Sequence, residues 1–149
     1  MRLSRKCQYA LRAVFELAWR NAEQPVKIHE IADAQNMPPR FLEVILNELR
    51  HGGFVDSRRG NEGGYILARP AEGLMVGEII EFMEGPVCIT GDGGRKGTSR
   101  ASTFGDSAFN KLWENVNGAV CQVWGNTSFA ELVEHEMAEK STWVPNYAI

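Results

Sequence analysis

The chain has 149 residues, 44% of them hydrophobic and 23% charged, which is typical of one globular domain or of one domain with an extension. It has no apolar run near the roughly 18 residues of a membrane helix and no signal-peptide pattern after its basic start, so we expect a cytoplasmic protein without a membrane partner. The net charge of −3 is unevenly distributed: residues 1–69 carry 11 Lys or Arg against 8 Asp or Glu, and residues 70–149 carry 5 against 11.

A basic first half can meet phosphates, while an acidic second half faces solvent or a partner.

The first predicted element is a helix that Ser4 can cap and that runs to about Arg20. Its apolar residues form two stripes at helical spacing, which favours burial on two sides and leaves open a contact with another subunit. The first stripe holds Ala10, Ala13, Val14, Leu17 and Ala18, and the second holds Leu11, Phe15 and Trp19.

The next stretch, "QPVKIHEIADAQNMPPRFLEVILNELRHGGFV", predicts two helices separated by a short turn. The first is a short helix marked by the apolar residues Ile28, Ile31 and Ala32. After the break at "QNM", Pro38 and Pro39 suit the first turn of a second helix, and Gly52 and Gly53 end it. This order is typical of a helix-turn-helix.

The exposed face of the second helix carries side chains that can all make hydrogen bonds. They recur at intervals of three, four and three residues: Arg40, Glu43, Asn47 and Arg50. A solvated helix face would explain the same pattern. Because the second helix of a helix-turn-helix enters a major groove, we interpret these residues as candidate DNA contacts.

A glycine-rich turn with two arginines follows in "VDSRRGNEGGYILARP". "FVDSR" and "YILAR" can pair as a β-hairpin, and Gly60, Gly63 and Gly64 permit the backbone angles of the turn. A hairpin directly after a helix-turn-helix predicts a winged helix. Arg58 and Arg59 then suit phosphates or a narrow minor groove, although a solvated hairpin tip is the simpler alternative.

The second half predicts a short helix at "MVGEIIEFMEGP", a glycine-rich loop over 88–107 and a long helix at "SAFNKLWENVNGAVCQVW". An aromatic stripe of this length in so short a chain is expected to pack against a second copy. Ser128 and Glu131 form a capping box for a final amphipathic helix. The stripe of the long helix comprises Phe109, Leu112, Trp113, Val116, Val120, Val123 and Trp124.

We therefore predict a mainly α fold, a winged helix-turn-helix with a two-stranded wing and a long dimerisation helix. Residues 1–75 would form the DNA-binding domain, 76–137 the dimerisation helices with a sensor-like loop, and 138–149 a loose tail.

Four stretches together resemble one family of bacterial transcription regulators, the IscR, NsrR and CymR type (the Rrf family). They are "MRLSRKCQYALRA", "PPRFLEVILNELRHGGFVDSRRGNEGGYILARP", "MVGEIIEFMEG" and "TSFAELVE", within residues 1–137. The wing pattern followed by "VGEII" is specific to this family in that order. The resemblance implies a homodimeric regulator, expected to act as a repressor, that reads a roughly palindromic operator.

The resemblance also implies roles for individual residues. Glu43 matches an acidic residue that accepts a hydrogen bond from a cytosine amine, and Arg59 matches a wing arginine that enters the minor groove. Arg40 and Phe41 lie at the start of the recognition helix, while Arg2 and Ser4 match a segment near the phosphates.

Many family members sense their signal through an iron–sulfur cluster held by three loop cysteines. In this chain the matching positions hold Asp92, Ala101, Ser107 and Asn110, none of which is a thiolate. One branch uses two cysteines with histidine and glutamate from the partner's first helix, but the matching residues are Gln8 and Arg12, and arginine cannot be a ligand. We therefore expect no cluster, and a small ligand or a partner protein becomes the signal.

Two alternatives use the chain's three cysteines, Cys7, Cys88 and Cys121. Cys88 and Cys121 could hold a cluster in an unusual way, or one thiol could be a redox switch, with Cys88 the best candidate. Cys7 and Cys121 are more simply interpreted as packed helix residues. A regulatory subunit that binds protein instead of DNA is a further alternative, whereas no catalytic or metal-binding constellation can be assembled.

Overall fold

The structure is a computed structural model and describes residues 2–21, 24–86 and 103–142. Within these ranges it is mainly helical, with one two-stranded antiparallel sheet. The elements are α1 (Arg5–Arg20), α2 (Ile28–Ala34), α3 (Pro39–His51), β1 (Val55–Arg58), β2 (Gly64–Leu67), a 3₁₀ turn (Ala71–Gly73), α4 (Val76–Glu84), α5 (Asp106–Asn126) and α6 (Phe129–Thr142).

Helix α1 is the central element of the fold, since it contacts α2, α3, α4, α6 and β2. As predicted, Ser4 caps it: the Ser4 hydroxyl accepts a 3.1 Å hydrogen bond from the Cys7 amide. The predicted first stripe is buried. The second stripe of Leu11, Phe15 and Trp19 is half-buried and packs against the chain's own core, which explains why α1 is apolar on two sides.

Helices α2 and α3 form the predicted helix-turn-helix. The turn between them is held by Met37, which is buried and donates a 2.8 Å backbone hydrogen bond to Ala32. Pro38 occupies the N-cap of α3 and Pro39 its first position, as expected from the sequence. After His51 the chain turns at Gly52 and Gly53, where Gly53 has a φ of 75°. The apolar face of α3 is therefore buried and its polar face is turned outward.

The predicted wing is present as the β1–β2 hairpin, paired from Val55 opposite Leu67 to Arg58 opposite Gly64. Its second strand, β2, is attached to the segment that precedes α2. The amide and carbonyl groups of Val26 and Tyr65 exchange two hydrogen bonds of 2.8 Å each. A Cβ atom on Gly64 would lie 2.6 Å from the Val26 carbonyl carbon, so only glycine lets the two backbones meet.

The second half joins this unit through α4, which packs on α1, and through α6, which also contacts α1. Helix α5 approaches α4 closely, because a Cβ on Gly77 would lie 3.1 Å from the Trp124 backbone. The Ser128–Glu131 capping box is confirmed: the Glu131 amide donates to the Ser128 hydroxyl at 3.1 Å, and the Ser128 amide donates to the Glu131 carboxylate at 2.8 Å.

Helix α6 continues to Thr142, so the prediction of a loose tail from residue 138 was wrong for its first five residues. Residues 143–149 lie outside the described ranges, as do Cys88 and most of the predicted loop. None of the helices in the described ranges combines the length and the apolarity needed to cross a membrane.

We expect Gly64→Ala to destabilise the protein, because the new methyl group would collide with the Val26 carbonyl. Overpacking of this kind costs about 1–3 kcal/mol, and denaturant unfolding followed by circular dichroism would measure it. Gly73→Ala is the matched control, since a Cβ there meets no atom within 4 Å. Equal stabilities of the two variants would contradict a close approach at Gly64.

Candidate nucleic-acid interface

The outward face of α3 presents the predicted polar residues together. Arg40, Glu43 and Arg50 are exposed and Asn47 is half-buried. The opposite face is firmly held, because Leu42, Ile45, Leu46 and Leu49 are fully buried. The helix thus presents a row of exposed donors and acceptors, the groups that direct reading of base edges uses.

Phe41 begins this face and is 37% exposed. Its ring packs edge-on against Tyr9 of α1, with the ring centroids 5.7 Å apart. The contact fixes the start of α3 against α1. Phe41 therefore has a packing role that its sequence position did not reveal, and the exposed part of its ring remains a predicted DNA contact.

The wing tip projects charged side chains into solvent. Arg58 and Arg59 are exposed, and their side chains form no ion pair or hydrogen bond with a residue of the described ranges. The turn is tight: Gly60 has a φ of 108°, and a Cβ on Gly63 would lie 2.8 Å from the Gly60 carbonyl oxygen. Gly60 and Gly63 thus shape the tip that presents the two arginines, and contact of these glycines with DNA stays a prediction.

The polar face of α3 and the hairpin meet at Arg50. Its Nη1 donates a 3.2 Å hydrogen bond to the Ser57 hydroxyl of β1. Ser57 lies opposite Tyr65 in the hairpin. Burial raises the pKa of the Tyr65 hydroxyl, and the nearby Glu43 carboxylate raises it further, whereas Arg50 lowers it. The Arg50–Ser57 hydrogen bond therefore joins the polar face of α3 to the hairpin.

The amino-terminal segment is held by a contact that the sequence did not indicate. Both the Ser4 amide, at 3.1 Å, and the Ser4 hydroxyl donate to the Glu84 carboxylate at the end of α4. The donors of Ser4 are thus engaged within the chain, which differs from the phosphate contact predicted for it. Arg2 is exposed and stays a predicted phosphate contact.

The two described cysteines differ sharply. Cys7 is fully buried, and burial, followed by the Glu84 charge and a hydrogen bond to Glu84, raises its pKa from 9.0 to about 11. Its thiol is therefore protonated at neutral pH and unreactive, as expected for a packed residue. Cys121 is exposed on α5, so its interpretation as a packed core residue was wrong for the single chain.

Few of the described side chains are suited to bind a metal ion or an iron–sulfur cluster. Ser107 and Asn110 are exposed on α5 and offer no thiolate, while Asp92, Ala101 and Cys88 lie outside the described ranges. Within those ranges no three His, Cys, Asp or Glu side chains are grouped to hold a metal ion. Gln8 and Arg12 line a groove along α1 and supply no cluster ligand.

Helix α5 presents the predicted dimer stripe to solvent. The helix has 21 residues, and none of them is buried in the single chain. The exposed fractions reach 60% for Phe109 and 62% for Val123. Trp124 differs from the prediction, since it is half-buried and packs on the chain's own core. The remaining stripe residues are Leu112, Trp113, Val116 and Val120, all exposed or half-buried.

Sequence reasoning missed the contacts of Glu84 with Ser4 and of Ser57 with Arg50, and the place of Tyr65 opposite Ser57. Ser57 and Tyr65 could have been found from hairpin pairing, which places them opposite each other on one face. Glu84 carries no local signal, because its partner Ser4 is 80 residues away in the chain.

Comparisons with known proteins cover nearly the whole chain. A family described as "Rrf2: Iron-dependent Transcriptional regulator" matches residues 3–135. IscR of Cereibacter sphaeroides is 35% identical over 141 residues, 92% of this chain and 90% of that protein. CymR of Bacillus subtilis is 30% identical over 146 residues, 97% of this chain and 98% of that protein.

The solved structure of B. subtilis CymR, described as the global cysteine regulator of that organism, has the same fold. It superposes with a TM-score of 0.78 at 29% identity and covers 91% of this chain and 98% of that one. The winged-helix fold predicted from the sequence is thereby confirmed.

Proposed function

The chain belongs to the Rrf2 family and is a DNA-binding transcription regulator, and from this premise we propose that it acts as a homodimer that represses transcription at a roughly palindromic operator. The known relatives are regulators and not enzymes. Because its target is DNA, we place the protein in the cytoplasm.

One observation carries the sequence-specific part of the proposal: the polar face of α3 and the wing arginines belong to one connected surface. Glu43 and Arg40 face outward from a helix whose other side is fully buried, and Arg59 extends from the adjoining hairpin. A carboxylate can accept a hydrogen bond from the cytosine amine in the major groove. A guanidinium suits the negative potential of a narrow minor groove.

We expect Arg59→Ala to weaken binding by about 1–3 kcal/mol, because it removes a direct wing contact. Glu43→Ala should reduce discrimination between bases more than it reduces overall affinity. Fluorescence titration would measure both against a duplex recovered by repeated selection from a random-sequence pool and against a scrambled duplex of the same composition.

Lys111→Ala is the control for removal of a positive charge, since Lys111 is 72% exposed on α5 and has no expected DNA contact. Its affinity should change little. Equal binding of the wild type to selected and scrambled duplexes would reject sequence-specific recognition. An Arg59→Ala affinity equal to that of the wild type at moderate salt would favour a subunit that binds protein instead.

The homodimer part of the proposal is supported by two apolar surfaces that the single chain leaves open. One is the α5 stripe, on a helix about 30 Å long without a buried residue. The other is a groove of about 580 Å³ beside α1, α4 and α6, lined in its apolar part by Leu11, Phe15, Val76, Phe129 and Leu132. We propose that the α5 stripe of each subunit packs on its partner and that the groove contributes to this contact.

Leu112→Glu should break the dimer, because it places a charge in the middle of the apolar stripe, where Leu112 is 47% exposed in the single chain. Asn115→Glu introduces the same charge on the same helix at an exposed polar position and should leave the dimer intact. Sedimentation velocity would distinguish the masses of one and two chains. A wild type that sediments as a single chain at micromolar concentration would exclude this assembly.

The donor set does not fit an iron–sulfur cluster, although the family is described as iron-dependent. Clusters are held mainly by thiolates, and the chain has three cysteines in total. One of them, Cys7, is a buried thiol that is hydrogen-bonded to Glu84 and has a raised pKa. We therefore propose a regulator without a cluster that responds to a small ligand or a partner protein.

Protein produced and purified without oxygen should be colourless and free of iron and acid-labile sulfide. Visible absorption with iron and sulfide assays on the same sample would measure this. A stoichiometric chromophore would support the alternative in which Cys88 and Cys121 take part in a cluster, and Cys88→Ser and Cys121→Ser would then identify its ligands.

Thiol sensing is the second candidate for the signal, and the exposure of Cys121 favours it. An accessible thiol can be oxidised and reduced reversibly. The buried thiol of Cys7 is far less suited to this role, because its raised pKa leaves little thiolate at neutral pH.

A further inference from the structure

The second strand of the hairpin is held near its tip end, and the start of the first strand is held in the core. Val26 and Tyr65 exchange two backbone hydrogen bonds of 2.8 Å. Phe54 and Val55, at the start of β1, are both buried in the core. The tip with Arg58 and Arg59 lies beyond these anchors. Because the Val26 bonds act on β2, the position of the tip end of β1 relative to α3 depends on contacts that β1 itself makes.

One such contact lies near the tip. Arg50, in the last turn of α3, donates from Nη1 to the Ser57 hydroxyl at 3.2 Å. Ser57 directly precedes Arg58 in the chain. A guanidinium is planar and holds its donors in fixed directions, so this bond constrains the angle between the helix and the strand as well as their separation.

The side of the hairpin that carries Ser57 is turned toward the polar face of α3. Tyr65 lies opposite Ser57 in the strand pairing, and paired residues of antiparallel strands share a face. Helix α3 also contacts β1, the strand that carries Ser57. The Arg50–Ser57 bond is thus part of a contact zone between helix and hairpin.

We propose that Arg50 is a positioning residue: through Ser57 it holds the wing at one distance from the recognition helix and so sets the spacing of major-groove and minor-groove contacts that an operator must offer. The inference rests on the proposed DNA-binding function. It assigns Arg50 a role different from the direct base or phosphate contact expected from its place on the helix face.

The test compares three duplexes. The first is the duplex recovered by selection from a random pool. In the other two duplexes, one base pair is added or removed between the segment read by α3 and the segment read by the wing, and the change is made in both half-sites. The distance between the two segments read by the α3 helices of the dimer stays unchanged. If the wing is held rigidly, the wild type should bind both altered duplexes about 10- to 100-fold more weakly, as for a mismatched site.

Ser57→Ala removes the acceptor and leaves Arg50 in place, and Arg50→Gln removes the donor. Both variants should show a much smaller spacing penalty than the wild type, so that their affinities for the three duplexes converge. The double variant should show no larger effect than Arg50→Gln alone, because both changes break the same bond.

Arg40→Gln is the matched control. Arg40 is exposed on the same helix, and its side chain has no hydrogen bond or ion pair with a described residue. It should weaken binding to all three duplexes by the same factor. The slope of affinity against salt should fall by about 0.9 for each phosphate that the variant no longer neutralises.

The outcomes separate the two levels of the proposal. A wild type that does not prefer the selected duplex over a scrambled one rejects sequence-specific DNA recognition. A wild type that does prefer it, with Arg50→Gln behaving like Arg40→Gln in spacing penalty and salt slope, shows a direct contact and overturns the positioning role. An unchanged spacing penalty in Ser57→Ala overturns it as well.

Discussion

Two backbone hydrogen bonds between Val26 and Tyr65 join the two parts of the chain that we propose to face DNA, the helix-turn-helix and the hairpin. They connect the hairpin to the segment that leads into α2, so the wing is attached directly to the helix-turn-helix. The contact exists because Gly64 has no side chain at the point where the two backbones meet. A glycine that looks like part of a flexible turn is thus required for close packing, and its freedom of φ is secondary.

Most elements of the fold could be predicted because their signals are local. The Ser4 cap, the prolines at the start of α3 and the Ser128–Glu131 box each act within one helical turn, and the structure has all three. The end of α6 could not be placed in the same way. The residues after Met137 have no helix-ending glycine or proline before Pro145, so the sequence offered no signal to separate helix from tail.

The candidate site was predictable to the extent that it follows helical or strand periodicity. Arg40, Glu43 and Arg50 do face outward together. What the sequence could not show is which of their donors are already engaged. Ser4 is bound to Glu84, and Arg50 to Ser57, through contacts between separate elements. Contacts of this kind between distant elements engage donors that a spacing rule counts as free, and the rule contains no information about them.

The open surface of α5 has a consequence for how steeply such a regulator can respond. Its longest helix is left without a buried residue in the single chain, so in the proposed homodimer much of its packing comes from a second copy. Assembly then follows mass action, and at low abundance the amount of dimer rises with the square of the chain concentration. Operator occupancy in a cell would therefore depend on how much of the protein is made, as well as on any signal. A gene that encodes such a protein, and that lies under its own operator, could hold that amount near a set level.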